Sequence, residues 1–381
     1  MTDFDKIENV FCVLPFTHLA THPDGGVTTC CESKCYAPDL NLNTDSVDKI
    51  RNNSLFEEVR QYMKSGKKHS SCNFCYKREE QGLRSKRQIE NEKYDLNANS
   101  YKNFITNPLI SVELRLGNTC NAKCLICHPH SSSKWNEDAD VLGVDKVILN
   151  REWYKNSKVY DSIIEHSDNI THLWFNGGEP TLIKEHYYLL ERLIEVGRNS
   201  YIELEYHTNG TNLPEKLLLL WKQFKFVKVT LSIDDTHDRL YYSRFPTSHD
   251  TVYNNIKTLE KNEIHFDIIP SISLYNVYNL DYVYHFFKNE FNKEIQLNFV
   301  RYPQTLTIGN LTDEMKEEVI TKFTLNNLPE KFIKEIQYNF DVLPNVGLKK
   351  FLEYSKKLDI HRNLSILEYL PEWKIWNEKV V

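Results

Sequence analysis

Between residues 109 and 300 the apolar positions switch repeatedly between a period of two and a period near 3.6. LISVELRL sets Ile110, Val112, Leu114 and Leu116 against Ser111, Glu113 and Arg115, the alternation of a strand with two unlike faces. THLWFN (171–176), YIELEYH (201–207), VKVTLSID (227–234), IHFDIIPSI (264–272) and IQLNFV (295–300) predict five more strands. Between them IKEHYYLLERLIEVG, PEKLLLLWKQF, DTVYNNIKTLEKN and NLDYVYHFFKNEF carry helical spacing, the last three just long enough to cross back over a sheet. Strands alternating with helices predict an α/β fold of parallel βαβ units, as an open doubly wound sheet or a partial barrel. After about residue 311 the strands stop, and EMKEEVITKF and VGLKKFLEYSKKL predict a helical C-terminal extension over 311–381. Ahead of the alternating region, THLATH and VTTCC flank PDGG, a turn sequence that predicts a β-hairpin. The polar, Asn-rich KYDLNANSYKNFITNP separates this front end, 1–108, from the body, 109–310.

Composition changes the picture little. The 381 residues are 40% hydrophobic and 26% charged, as in ordinary globular proteins. A net charge of −6 with both signs interspersed provides no electrostatic footprint for nucleic acid or an anionic membrane. No apolar run approaches the roughly 18–20 residues of a bilayer span, and MTDFDKIENVF lacks the pattern of a secretory leader. A cytoplasmic location is the expectation, with neither a nucleic-acid nor a membrane partner.

The cysteines change it a great deal. Nine are present, and in a reducing compartment they point to metal binding or catalysis rather than to disulfides. Cys12, Cys30, Cys31, Cys35, Cys72 and Cys75 lie in the front end; Cys120, Cys124 and Cys127 follow the first strand of the body; none occurs later. Loops at the carboxyl ends of parallel strands are where α/β proteins place their chemistry. A structural zinc ion takes four ligands, whereas three thiolates suit three irons of a [4Fe–4S] cube with the fourth iron left open. Zinc held by these three cysteines and His128 or His130 is the competing reading.

CxxxCxxC at Cys120, Cys124 and Cys127, with Ile126 before the last, resembles the motif of the radical SAM enzymes. The rest of that family's pattern follows in order: Asn176-Gly177-Gly178-Glu179-Pro180, His207-Thr208-Asn209-Gly210, Ser232-Ile233-Asp234-Asp235, then Arg244. The resemblance covers about residues 109–300 and implies a partial (β/α)6 TIM-like barrel. It implies that S-adenosylmethionine chelates the open iron. Gly177, Gly178 and Glu179 would then bind its ammonium, Arg244 and Ser232 its carboxylate, Asp234 its ribose, Thr208 and Asn209 its nucleoside, and Ile126 its adenine. Each has a plainer reading: GG as a turn, Glu179 as a helix cap, NG as a turn dipeptide and Arg244 as a surface cation.

FCVLPFTHLATHPDGGVTTCC, with Gly25 five residues before Cys30, resembles the start of a twitch or SPASM module, here ahead of the barrel. That resemblance implies an auxiliary [4Fe–4S] cluster on Cys12, Cys30, Cys72 and Cys75. Cys31 or Cys35 is an alternative to Cys30, and a zinc ribbon is the rival for the whole module. The family's chemistry implies reductive cleavage of S-adenosylmethionine to a 5′-deoxyadenosyl radical, with electrons from a flavodoxin- or ferredoxin-type donor. Hydrogen abstraction from a peptide or small molecule would follow, with the auxiliary cluster taking one electron of a net oxidation. Radical epimerisation, peptide modification, a degenerate radical SAM scaffold and a zinc-stabilised binding protein are the alternatives. Positional candidates for substrate contact are Asn276, Asn298, Arg301 and Tyr302, and the tail holds Arg362 and Glu372 in an aromatic setting.

Overall fold

The computed structural model describes residues 4–148 and 152–378. Two compact units divide the chain. The first comprises Met1–Asn118, Leu149–Tyr206 and Glu215–Val227; the second comprises Thr119–Ile148, His207–Pro214 and Lys228–Val381.

The first unit is built on strands β1 (His18–Thr21), β2 (Gly26–Thr28), β3 (Tyr36–Asn41), β4 (Ser111–Arg115), β5 (His172–Asn176) and β6 (Glu203–Thr208), in the order β3-β2-β1-β4-β5-β6. The first three are antiparallel; β1 then pairs in parallel with β4, as do β4 with β5 and β5 with β6. The predicted hairpin is therefore present, and it extends the parallel strands directly. His22 N donates to Gly26 O at 2.7 Å to close its turn, and Gly25 sits at φ +83°. A Cβ there would meet Asn41 Oδ1 at 2.6 Å and Trp153 Cγ at 2.9 Å, so both the dihedral and the space demand glycine.

Strand alternation sorts the two faces. Leu19, Val112, Leu114, Leu173, Phe175, Leu204 and Tyr206 are all buried on one side. The helices Ser157–Ile164 and Tyr187–Glu195 contribute buried Val159, Ile163, Leu189, Leu190 and Leu193 to the same core. The opposite face carries His18, Glu113, Arg115, Trp174, Asn176, Glu203 and Glu205. It is not simply turned to water, because His18 and Glu113 are buried.

In the second unit β7 (Phe226–Leu231) pairs in parallel with β8 (His265–Ile268) through residues 228–231 and 265–268. The strand predicted over 264–272 breaks into β8 and β9 (Ser271–Ile272) at Pro270, which has no N–H for a ladder. The strand predicted over 295–300 shrinks to β10 (Asn298–Phe299), paired with β9, plus an isolated bridge from Ile295 to Ile268. The expected helical extension consists of Asp313–Leu325, Glu330–Val342 and Leu348–Arg362, followed by two short helices. The α/β class expected from the sequence is the one the chain adopts. No helix among the described residues is long and apolar enough to cross a membrane.

Candidate iron–sulfur and cofactor sites

The loop from Cys120 to Cys127 has no regular secondary structure, so its main-chain groups need partners from elsewhere. Lys123 N donates to Phe245 O at 2.7 Å, Leu125 N to Ser243 O at 2.8 Å and Cys127 N to Cys124 O at 2.9 Å. Cys124 is buried, while Cys120 and Cys127 are half-buried. In place of a fourth thiol, Arg244 brings Nη1 to 3.7 Å from Cys124 Sγ and Asn209 brings Nδ2 to 4.0 Å from Cys120 Sγ. Arg244 is itself buried, with Nη2 2.9 Å from Asp234 Oδ1. Burial works against its charge, but Asp234 and the Cys124 thiol more than restore it and push the guanidinium pKa up. Burial raises the pKa values of the Cys124 and Cys127 thiols.

Among the described residues no three Cys, His, Asp or Glu side chains converge on a point that would hold a single metal ion. Tetrahedral zinc requires such convergence, at about 2.0–2.3 Å per donor. Thiolates on a cube bond separate irons, a donor pattern that three cysteines in one loop can supply. Arg244 Nε is buried without a hydrogen-bond partner, an orphan donor beside Cys124 that suits a bound carboxylate.

The remaining expected residues of this unit have defined local roles. Asp234 Oδ1 accepts from Arg244 and from Ser271 N (2.8 Å). Thr208 Oγ1 accepts from Gly210 N at 3.1 Å, and its carbonyl accepts from Ser232 N at 2.8 Å. Asn209 Oδ1 accepts from Thr211 N and Oγ1, which turns the chain. Ile126 is half-buried. Asn276 uses its amide on Asp234 O, Ser271 O and Ser273 N, a main-chain brace. Asn298, Arg301 and Tyr302 are exposed.

Gly177, Gly178 and Glu179 belong to the first unit. Gly177 has φ +124°, and a Cβ on it would lie 2.7 Å from Gly117 O and 2.9 Å from Leu116 N. Gly178 N donates to Gly117 O at 3.0 Å. The close approach that demands glycine here is to the chain's own backbone after β4. Glu179 is buried and caps the short helix Pro180–Leu182, accepting from Thr181 N (3.1 Å) and Thr181 Oγ1 (2.7 Å).

The same unit gathers the front-end cysteines. Cys12 precedes the short helix Leu14–Thr17, Cys30 follows β2, and Cys72 and Cys75 sit at the start of the helix Asn73–Glu80. All four line one small cavity, together with Thr29, Lys86 and Arg87. Cys31 and Cys35 do not line it. Arg87 is fixed by Glu79 (2.6 and 2.9 Å) and by the carbonyls of Glu8 and Phe11. Burial and the neighbouring thiols raise the Cys12 and Cys30 pKa values; Cys72 is pushed up to about 11. Four thiols lining one cavity, two of them buried, with two cations beside them fit a group that takes four thiolates.

On the polar face of the strands Glu113 accepts from Asn176 Nδ2 (2.8 Å) and Arg115 Nε (3.3 Å). Burial would raise its pKa, but His18, Arg115 and Asn176 hold it below the usual carboxylate range. His18 Nδ1 meets Ser111 Oγ at 2.8 Å. His18 Nε2 and Asn176 Oδ1 are buried without hydrogen-bond partners. Sequence reasoning passed over this group because its residues come from three strands far apart in the chain. The alternation that set Glu113 opposite Leu114 was the available signal.

Residues 114–286 match the model of the Radical SAM superfamily. Two cysteine-type anaerobic sulfatase-maturating enzymes are relatives: that of Clostridium perfringens is 24% identical over 218 residues, and that of Clostridium novyi 26% identical over 178. These alignments take in 54% and 45% of this chain, which spans about half the length of each relative (56% and 46%). A solved structure described as native anSMEcpe with bound AdoMet is 22% identical at a TM-score of 0.40, covering 56% of this chain and 62% of that one. Residues 114–286 thus carry a radical SAM domain.

Proposed function

We propose that this protein uses S-adenosylmethionine and a [4Fe–4S] cluster on Cys120, Cys124 and Cys127 to oxidise a substrate by two electrons, with a second [4Fe–4S] cluster on Cys12, Cys30, Cys72 and Cys75 as electron acceptor. Bound together, the first cluster and S-adenosylmethionine supply a 5′-deoxyadenosyl radical, which removes a hydrogen atom from a substrate carbon. The chain's own residues do the rest. Arg244, with its orphan Nε, takes the carboxylate of the cofactor. His18 and Glu113, a buried pair 3.7 Å apart, are the candidates to receive the substrate proton. Cys12, Cys30, Cys72 and Cys75 would hold the second cluster, which would accept the remaining substrate electron, while an external donor would supply the electron that cleaves the cofactor.

The observation that supports this reading is that four cysteines line one cavity, enough to ligate all four irons of a cube and leave none for substrate. Such a cluster has electron transfer as its natural use. The names of the clostridial relatives weigh towards a protein or peptide side chain as substrate; a small molecule is the other class. The test is anaerobic reconstitution followed by iron analysis and turnover. About eight irons per chain are expected for two cubes, and about four with zinc would dismiss the second cluster. Incubation with deuterated peptide or polyol candidates should move label into 5′-deoxyadenosine. Failure to form any 5′-deoxyadenosine under strong reductant would dismiss the radical reading itself.

A further inference from the structure

The superfamily match ends at residue 286, yet the cysteine loop is held by side chains from well outside it. Three carbonyls of the loop are each capped by a side-chain donor. Ser132 Oγ donates to Ala122 O at 2.6 Å, Trp135 Nε1 to Cys124 O at 2.8 Å and Tyr354 Oη to Leu125 O at 3.2 Å. Tyr354 lies on the helix Leu348–Arg362, and its bond reaches the residue directly after Cys124. Burial raises the Tyr354 pKa, so its hydroxyl remains a donor across the accessible pH range.

The same helix reaches the loop a second time. Asp138 is fully buried and accepts on one oxygen from Lys123 Nζ at 3.0 Å. On the other it accepts from Arg362 Nε (3.1 Å) and Nη2 (2.7 Å). Lys123 is the loop residue just before Cys124, and Arg362 ends the helix. The Arg362 guanidinium also lies over Trp135 (5.4 Å) and Phe245 (5.7 Å). Those two residues bind the loop themselves, through Cys124 O and Lys123 N. Both residues flanking Cys124 are thus tied to one helix more than 220 positions away.

We propose that Tyr354 and Arg362 are positioning residues of the radical SAM cluster: by fixing the main chain on either side of Cys124 they set where the loop presents its three sulfurs. An irregular loop lacks the hydrogen-bond ladder that would otherwise hold such a spacing. A cluster with one protein-free iron has only three anchors, so a displaced anchor alters both retention of the cluster and its response to the cofactor.

The test compares Tyr354→Phe and Arg362→Gln with Ser355→Ala, a control on the same helix. Ser355 Oγ bonds Tyr275 Oη at 2.9 Å and touches nothing in the loop, so its loss costs fold stability alone. Each protein is reconstituted anaerobically in a Cys72→Ala/Cys75→Ala background, which isolates the loop cluster. Iron content, the electron paramagnetic resonance spectrum of the reduced cluster with and without S-adenosylmethionine, and uncoupled 5′-deoxyadenosine formation are read. Tyr354→Phe removes one oxygen and should melt within a few degrees of its parent. It should nonetheless blunt the spectral shift on cofactor addition and slow nucleoside formation roughly fivefold. Arg362→Gln leaves Asp138 short of its main partner and should lower iron retention further. Ser355→Ala should change the melting temperature and leave spectrum and iron untouched. The proposal is overturned if Tyr354→Phe has the parent's iron, cofactor-induced shift and nucleoside rate. It is equally overturned if Ser355→Ala reproduces the Tyr354→Phe spectrum at equal loss of melting temperature.

Discussion

Cys12, Cys30, Cys72 and Cys75 come from three separate stretches of chain and line one cavity in the first unit, whereas Cys120, Cys124 and Cys127 share one irregular loop of eight residues in the second. The first set has a thiol for every iron of a cube. The second is one short, and the place of a fourth thiol is taken by Arg244 and Asn209, side chains that reach cysteine sulfur but bind iron poorly. Under the proposed function, the contrast is between a metal centre that is closed and one that is left open. Closure needs donors gathered by tertiary structure. Openness needs only a short motif with polar, non-ligating neighbours, and a scaffold stiff enough to keep the loop from folding onto its own metal.

The largest effect should come from the open set. Cys124→Ala is expected to abolish 5′-deoxyadenosine formation from S-adenosylmethionine and dithionite, well beyond the roughly 100-fold that loss of an outer partner costs at a metal site. The closed set should behave differently. Cys72→Ala/Cys75→Ala should lower iron from about eight to about four per chain and still permit uncoupled nucleoside formation. If that pair abolished cleavage too, the division of labour between the two sets would collapse. Cys35→Ala sharpens the same comparison: Cys35 is buried but lies off the cavity lining, so its loss should leave iron content unchanged.

A smaller effect is expected at Arg244. Arg244→Lys keeps a positive charge near Asp234 and Cys124 but removes the fork and the orphan Nε. Cofactor affinity should fall roughly 10- to 100-fold, measured by the spectral titration of the reduced cluster, while iron content stays at the parent value. Loss of iron instead would mean that Arg244 belongs to the scaffold of the loop rather than to the cofactor.

How much of this was legible in advance follows the same line. The CxxxCxxC loop, the glycines at 177 and 178 and the strands they follow are local in sequence, and short-range pattern was enough to read them. The auxiliary cysteines were legible as residues through CxxC and the hairpin turn. Cys30 lines the cavity and Cys31 does not, but both sit in the bend and turn after β2, so strand alternation is not the reason. The close approach of Gly177 to Gly117 O, the Asp138–Arg362 pair and the Glu113–His18 group were not legible. Each depends on segments brought together across tens to hundreds of residues, and no period or spacing records such a meeting. Pro270 shows the opposite case: its missing N–H was in the sequence, and the break it makes in the strand over 264–272 followed from it.

The smallest effect concerns acid, and it should separate the units again. In the first, His186 is fully buried, donates from Nδ1 to Ile183 O, accepts at Nε2 from Tyr206 Oη, and has its pKa pushed down to about 3 by burial. His172 is lowered to about 4, by burial and then by Lys93. A base whose folded pKa lies below its unfolded value near 6.5 binds its proton more readily when unfolded. Stability from these histidines is therefore complete above pH 6.5 and declines as pH falls towards 4. In the second unit Asp235 and Asp359 have pKa values raised by burial, so acid relieves strain there instead of adding it. For His186 the loss approaches about 1.4 kcal/mol per pH unit below 6.5. Hydrogen exchange at pH 7 and pH 5, corrected for intrinsic rates, should therefore show amides of the helix Tyr187–Glu195 losing protection while those of Leu348–Arg362 keep theirs. In His186→Gln, which has no ring to titrate, the pH-dependent part of that loss should shrink even though the starting stability is lower. An unchanged pH response in that variant would move the acid sensitivity to other groups, with His172 next to be replaced.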